Sequence, residues 1–139
     1  TYRYRIWNGP VVSPFERPYV WPVAHPHLDL AAMQDAAARL LGRHDFAAFQ
    51  GSGSDAQTTV RTITASRIDG AGDRAREPLI VYEVRGDGFL RHMVRAIVGA
   101  LVEVGRGRRP PDWVEEVVRS RSRLHTFRTA PPTGLFLVE

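Results

Sequence analysis

Residues 79–105 read LIVYEVRGDGFLRHMVRAIVGALVEVG, a strand, a break and a helix in immediate succession. The first seven, Leu79 to Arg85, are mostly β-branched or aromatic and form the strongest strand signal in the chain. Gly86-Asp87-Gly88 interrupts it. The periodicity then changes. From about Leu90 to Val104, Met93, Val94, Ile97, Leu101 and Val104 recur on one apolar stripe, and Gly105 supplies the stop.

On the N-terminal side, residues 59–69 (TVRTITASRID) read as a second strand. An antiparallel pairing with 79–85 across a loop at 70–77 is the economical arrangement. Asp29 is a candidate N-cap for a helix carrying Leu30, Met33, Ala37, Leu40 and Leu41, stopped by Gly42. His44 to Phe49 predicts one helical turn that takes two aromatic rings into the core. Residues 50–57 are small and polar, which predicts a mobile loop. At the start, Tyr2, Tyr4 and Ile6 alternate with Arg3, Arg5 and Trp7, a strand with one core face and one polar face. A proline-rich connection over 8–27 follows, with a short extended piece around Tyr19–Val23.

On the C-terminal side, Pro110-Pro111-Asp112 opens a shorter helix to about Arg119, buried through Trp113, Val114, Val117 and Val118. A charged stretch leads to Ala130-Pro131-Pro132-Thr133-Gly134 and a final strand, Leu135–Val138. The order strand, helix, strand, strand, helix, helix, strand predicts an α+β fold: a mostly antiparallel sheet with helices packed on one face. The other face would stay open, a plausible platform for RNA in a basic domain.

A chain of 139 residues with 43% hydrophobic side chains suits one domain, or one half of a two-lobed enzyme. Its lack of cysteine excludes disulfides, thiol catalysis and cysteine-bound zinc. No apolar run of about eighteen residues suggests a membrane span. All 19 basic residues are arginine, against 15 acids, for a net charge of +4. Arginine suits phosphate through its two-pronged hydrogen bonding, but a genome-wide drift from lysine to arginine explains the bias equally well. The opening Thr1-Tyr2-Arg3-Tyr4 lies already inside a strand and lacks methionine, so the sequence reads as a fragment.

Most chemical classes find no support. There is no phosphate-binding glycine loop, and Gly51-Ser52-Gly53-Ser54 does not lead into a helix. The five histidines lack zinc-type spacing, so no metal site is expected. No pair of acids suggests glycosidase chemistry. The exception is Arg91, His92 and Arg95, three potential cations at the start of the 90–104 helix. Spacing puts Arg91 and Arg95 on one face, where the helix dipole disfavours positive charge. Such a local conflict marks either a functional position or a chance cluster on a solvated surface.

These residues also carry a resemblance. GDGFLRHMVRAIVGALVEVGRGRRPP (86–111), YRYRIWN (2–8), HDFAAF (44–49) with TTVRTI (58–63), and TAPPTGLFLV (129–138) resemble, in order and spacing, the C-terminal half of the TruA family of tRNA pseudouridine synthases. Four pieces in register span essentially the whole chain. The resemblance implies a pseudouridine synthase fold and a cytoplasmic, cofactor-free enzyme that is homodimeric when full length. Its partner is tRNA, in which uridines 38, 39 and 40 of the anticodon arm are isomerised.

Residue by residue, the resemblance implies that Tyr2 stacks on the target uracil and Arg95 pairs with the catalytic aspartate. Leu135 lines the apolar side of the pocket, and His92 lies close by. The basic residues Arg91, Arg106, Arg108 and Arg109 are expected to contact phosphates, with Arg119, Arg121 and Arg123 as a second group; a plain solvated surface is the alternative for each. The family's aspartate belongs to a G-R-T-D-A-G-V-H motif of the N-terminal half, and no such motif occurs here. Asp45, Asp55, Asp69 and Asp87 do not match it. The chain therefore reads as an enzyme half that supplies one wall of the site and is inactive alone. The rival readings are a separated RNA-binding module and an inert domain.

Overall fold

The computed structural model describes residues 1–24, 27–51, 57–70, 78–122 and 127–138. Six strands form one sheet: β1 (Tyr2–Trp7), β2 (Trp21–Pro22), β3 (Gly42–Asp45), β4 (Val60–Gly70), β5 (Leu79–Gly86) and β6 (Leu135–Leu137). The order is β2-β1-β5-β4-β3. The edge beyond β1 is divided, because β2 runs parallel to its end at Ile6 and Trp7 while β6 runs antiparallel to its start at Tyr2–Tyr4. Every other pairing is antiparallel. Three α-helices, α1 (Leu30–Ala38), α2 (Met93–Gly105) and α3 (Trp113–Ser120), pack against the sheet. This is the expected α+β class.

Alternation decides which face is core. Tyr4 and Ile6 of β1 are buried, as predicted from period two, and Ile80, Tyr82 and Val84 of β5 alternate into the core in the same way. In β4 the buried positions are Ile63, then Ser66 and Ile68, so the phase slips by one residue. A register shift between Ile63 and Ala65 restores it, since one extra residue on a bulged strand turns the following side chains to the opposite face. Ser66 thereby enters the core, where its hydroxyl meets the Tyr82 phenol at 2.7 Å. An unpaired buried hydroxyl would cost roughly 1–3 kcal/mol.

The open face is polar. Glu83 of β5 lies between Arg3, at 3.0 Å, and Arg67, at 2.6 Å. The hydrogen bond from Arg67, then that from Arg3, holds the Glu83 carboxyl below its ordinary range. Arg5 is likewise paired with Glu16 at 2.6 Å. Much of this face's arginine charge is therefore matched by acid, which weakens it as a platform for phosphate.

Several local expectations change. The Asp29 carboxylate caps α1 as expected, accepting from the Ala32 amide at 3.0 Å. The helix nevertheless ends at Ala38; Leu41 is 43% exposed, and Gly42 (φ 100°) opens β3 instead of closing the helix. The predicted turn of helix over 44–49 is divided between β3 and a 3₁₀ turn at Ala47–Phe49. Its aromatic payload still arrives, because Phe46 and Phe49 are buried. The extended piece expected around Tyr19–Val23 is β2, whereas β3 is too short for a periodic signal. Residues 52–56 and 71–77, in the two predicted loops, lie outside the described residues, as do His25 and Arg123. Among the described residues no helix is long and apolar enough to cross a membrane.

Candidate active site

Of the four residues expected at the pocket, Tyr2 and Leu135 lie on the helix-covered face of the sheet, and Arg95 reaches the segment that leads into Leu135. Tyr2 and Tyr4 point to this face together because they are two apart in β1. Leu135 of β6 stands directly opposite Tyr4, and directly paired residues of an antiparallel ladder project to the same side. Tyr2 and Leu135 are therefore diagonal neighbours across β1 and β6, and both are partly buried against the core. The Tyr2 ring meets Phe89 edge to face, with centroids 5.2 Å apart and planes at 89°. That contact fixes the ring's attitude.

Arg95 comes from the first turn of α2. Its Nε donates to the Ala130 carbonyl at 2.7 Å, and the Ala130 amide donates back to the Arg95 carbonyl at 3.0 Å. The side chain thus crosses to the segment leading into β6 and to Leu135. Burial raises the Tyr4 phenol above its ordinary pKa, and the positive field of Arg95 opposes that rise, followed by the Gly134 backbone and Arg128. The guanidinium is therefore near the ring on whose strand Tyr2 lies. Arg95 is only partly exposed, and among the described residues no carboxylate pairs with it. A half-buried cation with one nitrogen held in this way keeps its terminal nitrogens able to pair with an anion.

His92 and Arg91 differ from the expectation. The helix starts at Met93, and His92 precedes it in the left-handed region with φ 61°. Helical spacing does not carry across such a residue, so Arg91 and Arg95 do not share a helix face. Only Arg95 of the three cations lies within the helix. His92 still starts the ladder, because its carbonyl accepts from the Ala96 amide at 2.9 Å. Its imidazole is held below its ordinary pKa by lost hydration, then by Arg95 and Arg91, which favours a neutral ring beside the site. A left-handed histidine costs on the order of 1 kcal/mol or more. Periodicity gave no sign of it.

The basic cluster after α2 is only partly free. Arg106 and Arg108 both approach Glu103, at 3.6 and 3.2 Å, and Arg109 lies 5.4 Å from the centroid of the buried Trp113 ring. Arg121 is near Asp45, at 3.8 Å. Phe89, which no sequence argument singled out, packs on Tyr2; it lay within the quoted motif, yet only the fold brings the two rings together. Among the described residues no group of three or more histidines, cysteines or acids is placed to hold a metal ion.

Comparison with known proteins identifies a family for the chain. The family described as tRNA pseudouridine synthase matches residues 36–139. The chain is 47% identical over 138 residues to a tRNA pseudouridine synthase A of Myxococcus xanthus, covering 99% of this chain and 50% of that protein. It is 49% identical over 138 residues to one of Syntrophotalea carbinolica, covering 52% of it, and 45% identical to one of Acetivibrio thermocellus, covering 54%. The chain spans about half the length of these curated relatives.

Proposed function

The chain belongs to the tRNA pseudouridine synthase family, and from that premise we propose that it forms one wall of an active site isomerising uridine to pseudouridine in tRNA. The substrate uridines are those at positions 38, 39 and 40 of the anticodon arm. The opposite wall, with the catalytic aspartate, comes from an N-terminal lobe outside these 139 residues. The full-length enzyme is a cytoplasmic homodimer that uses no cofactor. The observation carrying this reading is Arg95, half-buried beside Tyr4 and without an acid among the described residues.

Pseudouridine formation breaks the bond between ribose and N1, turns the uracil and rejoins it through C5. The nucleotide must leave the stack, at a cost of a few kcal/mol. Stacking on the Tyr2 ring returns about 1–3 kcal/mol of that. The aspartate, whether it attacks the sugar or removes a proton from it, must be ionised in a partly apolar pocket. Desolvation raises a carboxyl pKa, and a guanidinium that stays charged lowers it again. Arg95 has this role. Leu135 excludes water from the ion pair and from the detached base. Arg91, Arg106, Arg108 and Arg109 contribute phosphate contacts that position the arm without reading sequence, Arg106 and Arg108 after exchanging Glu103 for phosphate.

The test is tritium release from C5-labelled uridine in tRNA. The protein in which this chain is joined to an aspartate-bearing lobe should release it; the 139-residue chain alone should not. Release by the chain alone would overturn the role given to the missing aspartate. In the joined protein, Tyr2→Phe should keep part of the activity because the stacking face is retained, whereas Tyr2→Ala should lose it. Equal rates for the two variants would remove stacking from the account.

A further inference from the structure

We propose that Tyr4 is a positioning residue: its buried hydroxyl locks the segment Ala130–Leu135, and with it both the Arg95 fork and Leu135, in register with the sheet. The inference rests on the active-site reading above and concerns a residue given no part in it. The Tyr4 hydroxyl donates to the Pro131 carbonyl at 2.5 Å, one residue beyond the carbonyl that holds Arg95 Nε. Its ring also forms the floor under Gly134, where an added Cβ would stand 2.8 Å from a Tyr4 ring carbon and 2.6 Å from the Arg5 carbonyl. Leu135 follows at once, opposite Tyr4 in the ladder. One side chain therefore touches the segment just before its 3₁₀ turn, at Pro131, and at the turn's last residue, Gly134.

Among the described residues no other side chain of the sheet donates a hydrogen bond to this segment. Tyr82, the cross-strand neighbour of Tyr4, is as deeply buried, but its phenol meets only the Ser66 hydroxyl within the sheet. Proline at 131 and 132 leaves the segment without two amides, so its carbonyls and the residues around them carry its anchorage. Loss of the Tyr4 hydroxyl leaves the ring and strand intact while freeing the Pro131 carbonyl. Ala130 then moves, and the Arg95 Nε hydrogen bond weakens with it.

The Tyr82 comparison supplies the control, since Tyr4→Phe and Tyr82→Phe each remove one buried phenol hydroxyl from adjacent strands. Proton exchange at Arg95 Nε, read by nitrogen-edited NMR on the 139-residue chain, should be about tenfold faster in Tyr4→Phe, the size expected for one lost hydrogen bond. Tyr82→Phe should leave it near the unsubstituted rate. Equal acceleration by both variants, or by neither, would overturn the proposal. In the unsubstituted chain the Tyr4 hydroxyl proton should exchange slowly, held by the Pro131 carbonyl, so fast exchange of that proton would overturn the proposal even if a variant fails to fold. In the joined protein, Tyr4→Phe should lower kcat with KM little changed. These exchange readouts do not depend on turnover, so an inactive joined protein would count against the proposed function while the NMR result still judged Tyr4.

Discussion

Changing Arg95 to alanine in the joined protein is expected to lower kcat by roughly 10²–10³-fold, the scale seen when one prearranged electrostatic partner is removed from an active site. Binding of tRNA should change little, because many phosphate contacts share that task. The reason is that the guanidinium offsets the desolvation of the aspartate, and without it the carboxyl pKa rises. The acid limb of the rate profile should therefore move to higher pH, since the ionised form is the reactive one. Arg95→Lys should restore only part of the rate. An ammonium retains the charge but is not the planar fork whose Nε donates to the Ala130 carbonyl at 2.7 Å, leaving the terminal nitrogens for a carboxylate. Single-turnover rates across pH for Arg95→Ala and Arg95→Lys, with tRNA affinity measured separately, decide the matter. Near-normal turnover of Arg95→Ala would refute the pairing role.

In the sequence, three cations at one helix start marked Arg91, His92 and Arg95 together, and only the resemblance of the HMVR stretch singled out Arg95. The spacing argument failed for Arg91, because spacing assumes an unbroken helix and His92 sits in a left-handed conformation that periodicity cannot register. Strands β4 and β5 were legible because β-branched runs of that length have few alternatives. Strand β2 falls within the extended piece expected around Tyr19–Val23, but β3 was not legible, because a strand of four residues takes its extended form from the neighbour it pairs with. The bulge at Ile63/Ala65 was hidden for a related reason. TVRTITASRID looks regular until the partner strand shows that Ser66, a polar residue, faces inward against Tyr82. Phe89 read as part of a motif, but its edge-to-face contact with Tyr2 depends on β1 lying beside β5.

Gly99 in the middle of α2 looks like a position to improve, since alanine favours a helix interior by about 1 kcal/mol over glycine. The fold reverses the sign. A Cβ at Gly99 would stand 1.8 Å from the Arg128 carbonyl oxygen and 3.3 Å from the Thr129 Cα, and backbone atoms cannot turn aside as a side chain does. The strand-leading segment must lift off the helix, at an overpacking cost of about 1–3 kcal/mol or more that exceeds the propensity gain. Gly99→Ala should therefore lower the denaturation midpoint of the 139-residue chain with little change in the denaturant slope. The same displacement passes to Ala130, bonded both ways to Arg95, and on to Leu135. In the joined protein, activity should accordingly fall at temperatures where the variant is still fully folded. A Gly99→Ala chain as stable as the original would mean that α2 and residues 128–129 do not pack this closely. The route from helix to pocket wall would then be lost as well.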